Sequence, residues 1–304
     1  MVESKLFVPS AKPVHLVKNF TEVPTKKITY PLIAQEKHDG CYAFAVIKKG
    51  DYRIFSRTGK SVFKALQHMS DDLRKAHENS ELANIVLIFE VVADNMSAAA
   101  ISGRCQDETN LFPEAYAVVH DCIPYTDFIE GYCSYDYDFR YHVARSVARK
   151  LNWKYSTNTF VNNAEEAQAY ADAIIDRGGE GAVFKKPEGT WQAGKKDHRM
   201  MKIKQELSYD LTVTGLSEGA GKYVGTTGTI DCYFRRFGKK DGEVVVVSVS
   251  GMSDAERDSW WNDPTLIIGK IVQVDAMRFT EFGMLREPRY KGVRFDKDEA
   301  DIVE

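Results

Sequence analysis

Short apolar runs with alternating or continuous patterning dominate the first two-thirds of the chain. They predict strands at Tyr42–Ile47, Arg53–Ser56, Val86–Val92, Ala115–Asp121 and Gly181–Lys185. Between them the period becomes helical. Phe139 to Leu151 sets Val143, Val147 and Leu151 four residues apart on one face, with arginines on the other. Ala164 to Arg177 opens with acids and is stopped by Gly178-Gly179, a natural helix C-terminus. After about Gln205 the texture changes. Asp210–Gly215, Thr229–Arg235, Glu243–Ser250 and Lys270–Phe279 are alternating or β-branched runs parted by glycine-rich turns. One short helix interrupts them, opened by Ser253 and Glu256 at capping-box spacing.

About five strands and one helix in roughly a hundred residues fit a small closed β-barrel of the OB type. The expected fold is therefore α+β: antiparallel sheets with helices over residues 1–206, then an OB-fold domain over 207–304. A chain of 304 residues has room for both cores. With 43% hydrophobic and 28% charged residues it is neither disordered nor fibrous. No apolar run reaches the length of a membrane span, and the N-terminus lacks a signal peptide's basic and apolar regions. Five scattered cysteines without a C-x-x-C pair point to reduced thiols in a cytoplasm and away from a zinc ribbon.

Net charge is −3, which alone predicts no affinity for nucleic acid, but the charges are segregated. Lys185, Lys186, Lys195, Lys196, Arg199, Lys202 and Lys204 form one basic run. Arg286, Arg289, Lys291, Arg294 and Lys297 form a second, and Arg235-Arg236 with Lys239-Lys240 a third. Such segregation suits a face that grips phosphates; solvated charged loops are the alternative for each cluster.

Candidate chemistry centres on Lys37-His38-Asp39-Gly40, where an Asp-Gly turn after a strand can present one amine to a pocket. Further along stand Ser56-Arg57-Thr58-Gly59, Phe89-Glu90, Glu180-Gly181, Lys202-Ile203-Lys204 and Arg294-Phe295-Asp296-Lys297. This ordered set resembles the covalent nucleotidyltransferase superfamily of DNA ligases, RNA ligases and mRNA-capping guanylyltransferases, from about Ala34 to Lys297. The fold implied is an ATP-grasp-like ligase core followed by the OB domain.

In that superfamily the motif lysine attacks the α-phosphate of a nucleotide and releases pyrophosphate. An unperturbed lysine titrates near 10.4, so only about one amine in a thousand is neutral at pH 7. Burial beside other cations lowers that value, and the same cations stabilise the phosphoryl transition state. The resemblance implies Lys37 as nucleophile within the catalytic set Lys37, Asp39, Arg57, Lys202 and Lys204. Arg57 would contact the nucleotide and later the 5′-phosphate of a nick. Glu90 would lie near the ribose and the metal, and Glu180 would help bind the metal, Mg²⁺ or Mn²⁺. Lys202 and Lys204 would hold the α-phosphate, Arg294 and Lys297 would orient pyrophosphate, and main-chain groups at Gln35-Glu36 would read the adenine edge. Two positions depart from the pattern. Tyr42 stands where ligases commonly carry arginine, which leaves Arg104 to supply that phosphate contact. His120-Asp121 stands where an aromatic ring usually precedes the aspartate, so His120 would stack on the base.

Other readings stay open. Lys202 and Lys204 could form a solvated face, and Glu90 a strand-end carboxylate satisfied by neighbours. Trp191 and the Trp260-Trp261 pair read as packing mass, Cys41 as a small buried apolar residue, and His38 as a bystander. The Asp210–Gly215 run and the closing motif look like ATP-dependent DNA ligases of the compact type common among bacteriophages. With 36 residues before Lys37, no separate N-terminal DNA-binding domain is expected. The implied function is sealing of nicks in duplex DNA during replication, repair or recombination by a monomer that uses ATP. Arg57, Arg104, Lys185, Lys186, Lys195, Lys196 and Lys222 would be the DNA contacts. An RNA ligase or capping enzyme shares the covalent step, and a non-catalytic DNA-end binder could keep the fold. Substrate choice separates the first, and the absence of an AMP adduct the second.

Overall fold

Alternation of buried side chains builds the sheets. The structure, a computed structural model, describes residues 13–48, 51–59, 62–78, 84–235, 244–280 and 282–301. It divides into two compact units, Met1–Lys204 and Gln205–Glu304.

Strands of the first unit are β1 Leu16–Asn19, β2 Leu32–Glu36, β3 Cys41–Lys48, β4 Asp51–Ser56, β5 Ile85–Val92 and β6 Tyr116–Pro124. After them come β7 Tyr132–Cys133, β8 Lys154–Tyr155, β9 Thr159–Val161, β10 Gly181–Lys185, β11 Trp191–Gln192 and β12 Lys196–Lys204. The helices are α1 Gln67–Glu78, α2 Ala98–Cys105, α3 Tyr125–Glu130, α4 Tyr137–Lys150 and α5 Ala164–Asp176. One five-stranded sheet runs β1-β12-β10-β2-β9, and a second runs β4-β3-β5-β6-β8.

In the second sheet β3 is buried on both faces. Ala43, Ala45 and Ile47 join Leu87, Phe89 and Val91 in a core beneath α1, α2 and α4. Phe44 and Val46 join Val86, Ile88, Phe55, Phe128 and Trp191 on the other face. A strand covered on both sides needs the near-continuous apolar run that Cys41–Ile47 shows. In the first sheet Leu32, Ala34, Ala182, Phe184 and Met201 pack against Ala167, Ala171 and Ile174 of α5. That helix begins at the Asn163 cap, whose side chain accepts from the Glu166 amide. Helix α4 differs from its expected pattern. Arg140 lies on the buried side, because Asp121 waits beneath it as a charge partner. Trp191 is buried core mass.

The second unit contains β13 Leu207–Glu218, β14 Thr227–Arg235, β15 Val244–Val249, α6 Asp254–Asn262, β16 Ile271–Ala276 and β17 Arg289–Val293. The capping box at Ser253 and Glu256 is present, and Trp260 joins the core. The strands form one sheet in the order β15-β14-β13-β16-β17. This sheet is open, not the closed barrel expected. Among the described residues its edges meet at one parallel bridge, Ser250 with Arg289, because the chain leaves for α6 directly after β15. Among the described residues no helix is long and apolar enough to cross a membrane.

Candidate active site

The face of the first sheet turned away from α5 follows from strand parity. Opposite the residues that pack on α5, β2 and its extension present Ile33, Gln35 and Lys37. Strand β10 presents Gly181, Val183 and Lys185, and β12 presents Met200, Lys202 and Lys204. Five of these nine positions carry a cation or an amide, and Ile33 beside them packs against Tyr137 and Tyr141 of α4.

Lys37 follows β2 directly. Its amide donates to the Gly181 carbonyl at 2.8 Å, extending the β2–β10 ladder by one bond. Its Nζ donates to Glu180 Oε2 at 2.6 Å, and the Glu180 side chain is only 8% exposed. Gly181 itself has φ +138°, and a Cβ there would lie 2.2 Å from the Ile203 carbonyl oxygen. Glycine is therefore required for Lys37, Glu180 and Lys204 to converge. Lys202 and Lys204 are half-buried rather than solvated. Burial pushes the Lys202 ammonium down from its usual range, with Lys204 and Lys37 adding to the shift.

The Asp39-Gly40 pair forms no hydrogen-bonded hairpin turn. Gly40 serves close approach instead, since a Cβ would stand 2.2 Å from the Val91 carbonyl oxygen and 2.8 Å from Glu90 Cγ. Glu90 lies opposite Tyr42 in the β3–β5 ladder. Burial pushes its carboxyl up to about 8, with Lys37 pulling the other way and Cys41 and Glu180 adding to the rise. Arg57 places Cζ 5.8 Å from the centre of the Tyr42 ring, and Tyr42 in turn lies 6.0 Å from the His120 ring. Arg57, Tyr42, Glu90 and His120 thus form one wall, and Lys37, Glu180, Lys202 and Lys204 another.

His120 is the extra residue of a β-bulge, for Ile88 pairs with Asp121 and Phe89 with Val119. The bulge frees its carbonyl from the ladder, so Tyr137 Oη at 2.9 Å and Lys185 Nζ at 3.3 Å donate to it. Burial holds the His120 imidazole well below its usual value, with Lys185, His38 and Lys37 adding to the effect. Its Nδ1 has no hydrogen-bond partner among the described residues. Burial likewise lowers the His38 imidazole.

A family model described as the ATP dependent DNA ligase domain matches residues 14–204. The chain belongs to this family. It is 23% identical over 233 residues to the DNA ligase of Enterobacteria phage T4, covering 63% of this chain and 48% of that protein. The chain thus spans about half the length of that relative. The solved structure of Pmar-Lig_PreS3 superposes with a TM-score of 0.77 at 21% identity, over 93% of this chain and 68% of that one. The ATP-dependent DNA ligase of bacteriophage T7, in complex with ATP, gives 0.58 at 18%, over 93% and 99%. At these identities the likeness is one of fold.

Several residues expected of a ligase domain lie elsewhere. Lys185 is not on a DNA-facing surface: it is 2% exposed, bonded to the Tyr137 hydroxyl at 3.1 Å and stacked over that ring. Burial brings its ammonium down to about 7, against the opposing pull of Asp121. Lys186 is buried as well. Arg104 does not replace the arginine missing at Tyr42. It turns to its own loop, donating to the Leu111 carbonyl at 3.0 Å and lying over Phe112. Glu36 pairs at the surface with Arg177 at 2.5 Å, so only its main chain is available on the Lys37 face. Lys195 and Lys196 are exposed, as is Lys222, which covers the Tyr223 ring. Arg294 and Lys297 lie in the second unit, both on Asp210 Oδ2, at 2.7 and 2.5 Å. Arg236, Lys239 and Lys240, with the Arg235 side chain, lie outside the described residues.

Sequence reasoning missed Tyr137, Asn158 and Arg140. Arg140 grips Asp121 through Nε at 2.9 Å and Nη2 at 3.1 Å, both residues being buried. The available signal was Tyr137, Arg140 and Tyr141 at helical spacing, a face of hydrogen-bonding rather than purely apolar groups. Carboxyl groups that could hold a metal here are those of Glu90 and Glu180. No cluster of three or more metal-ligating side chains occurs among the described residues. Two hard oxygens suit Mg²⁺ held jointly with substrate phosphates and water, not an all-protein cage.

Proposed function

We propose that this chain is an ATP-dependent DNA ligase that seals 5′-phosphate/3′-hydroxyl nicks in duplex DNA, serving replication, repair or recombination. The carrying observation is Lys37 Nζ on Glu180 at 2.6 Å, facing Lys202 and Lys204, in a chain of the ligase-domain family.

In the first step the neutral Lys37 amine attacks the α-phosphorus of ATP; the N–P bond forms as the bond to pyrophosphate breaks. Glu180 is the carboxylate placed to take the amine's hydrogen. Lys202 and Lys204 balance the charge that grows on the α-phosphate oxygens. AMP then passes to the nick 5′-phosphate, which Arg57 is placed to hold. The 3′-hydroxyl finally attacks that phosphate and expels AMP. A magnesium or manganese ion bound by Glu90 and Glu180 would supply Lewis-acid stabilisation of phosphate charge. His120, neutral at pH 7, offers an imidazole face for the base, and Arg294 and Lys297 would orient pyrophosphate.

Residues 1–206 are assigned as the adenylation domain and 207–304 as an OB-fold domain. The strand order and the parallel Ser250–Arg289 bridge at the sheet edges support the second assignment. Lys195, Lys196 and Lys222 are the exposed DNA contacts of this reading. Five free thiols suit a monomer working in a reducing cytoplasm. Incubation with ATP, Mg²⁺ and a 5′-phosphorylated nicked duplex should give a sealed strand. Sealing of RNA nicks alone, or labelling by GTP alone, would contradict the proposal.

A further inference from the structure

Gln35 is 2% exposed, yet one of its polar atoms is unused. Its Nε2 donates to the Tyr137 hydroxyl at 2.7 Å and to Asn158 Oδ1 at 2.6 Å, which occupies both amide hydrogens. Among the described residues, its Oε1 accepts no hydrogen bond. Gln35 stands two residues before Lys37 at the end of β2, so both side chains point to one face.

The direction of this amide follows from its neighbours. The His120 carbonyl can only accept, so Tyr137 spends its single hydroxyl hydrogen there, at 2.9 Å. With that hydrogen spent, the Tyr137 oxygen is an acceptor for Lys185 Nζ at 3.1 Å and for Gln35. The atom Gln35 turns toward Tyr137 must therefore be nitrogen. Asn158 completes the arrangement by offering oxygen to the second hydrogen. What remains for a ligand is one acceptor, Oε1, held on the Lys37 face opposite the apolar Val183.

We propose that Tyr137 and Asn158 are positioning residues that lock the Gln35 amide with its oxygen toward the ligand, and so select adenine over guanine nucleotides. Adenine presents an exocyclic amine, a donor, where guanine presents a carbonyl, an acceptor. A locked acceptor pairs with the first and is left facing the second with no hydrogen between them. This inference rests on the nucleotide-transfer reading of Lys37.

The test compares rates of lysyl-nucleotide formation with α-labelled ATP and GTP for wild type, Tyr137→Phe, Asn158→Ala and Asn158→Asp. Tyr137→Phe and Asn158→Ala should each lower the ATP:GTP ratio of kcat/KM about tenfold, roughly 1.4 kcal/mol. Asn158→Asp, which keeps an acceptor and cannot flip, should hold the wild-type ratio. Folded Tyr137→Phe and Asn158→Ala that melt lower but keep the ratio would overturn the proposal and leave a structural role. Tyr137 supports packing, so the half-buried Asn158 decides the matter if Tyr137→Phe does not fold. A wild-type protein that labels with neither nucleotide would overturn the nucleotide-transfer reading itself, and this inference with it.

Discussion

Lys37 is held by contacts of two kinds, a backbone bond to Gly181 that fixes its origin and a side-chain bond to Glu180 that fixes its tip. Glu90, across the site, is kept by burial as a carboxyl that ionises only near 8. In the unfolded chain it would ionise near the ordinary value of about 4.3. Between those values folding takes up a proton, so Glu90 subtracts stability progressively as pH rises from about 4.3 to about 8. Glu90→Gln should therefore match the wild-type Tm near pH 4 and exceed it increasingly toward pH 8, in thermal melts without divalent ions. Equal pH dependence of the two proteins would contradict this. At the residue scale the convergence of Lys37, Glu180, Lys202 and Lys204 was legible from the order of the motifs. Lys185 was not: its spacing resembles a surface basic run, and only the packing of Tyr137 over it shows the burial.

At the scale of elements, Gly181 is the joint on which β2, β10 and β12 converge. Gly181→Ala should cost roughly 1–3 kcal/mol from backbone strain alone. Its Cβ would also force the Ile203 carbonyl away and part the ladder that carries Lys204. Urea unfolding should show the loss, and the rate of AMP transfer to Lys37 should fall with it. Full retention of both would remove Gly181 from the account. The strands Cys41–Lys48, Ile85–Val92 and Gly181–Lys185 were legible because each is an apolar run ended by a charge or turn. The bulge at His120 was not, since nothing local distinguishes an unpaired residue inside Tyr116–Pro124. The openness of the second unit's sheet escaped local reading, which expected a closed barrel. Closure depends on two edge strands far apart in sequence, which among the described residues meet at Ser250 and Arg289.

For the whole molecule, a net charge of −3 leaves DNA affinity to local patches, and the basic run from Lys185 to Lys204 breaks into parts with separate tasks. Lys185 and Lys186 are buried, Arg199 is tied to Asp197 at 2.6 Å, and Lys202 and Lys204 face Lys37. Lys195 and Lys196 remain exposed, and the proposed reading gives them to a duplex. Lys195→Ala with Lys196→Ala should weaken nick binding about equally for all sequences and reduce the salt slope by about 0.9 for each phosphate no longer neutralised. An unchanged slope would move the DNA face elsewhere. The account as a whole stands on Lys37 becoming covalently joined to AMP. Incubation with α-labelled ATP and Mg²⁺, acid quenching and peptide mapping should place one AMP on Lys37 in the wild type and none in Lys37→Ala. An adduct that persists in Lys37→Ala, or maps to another residue, would contradict it.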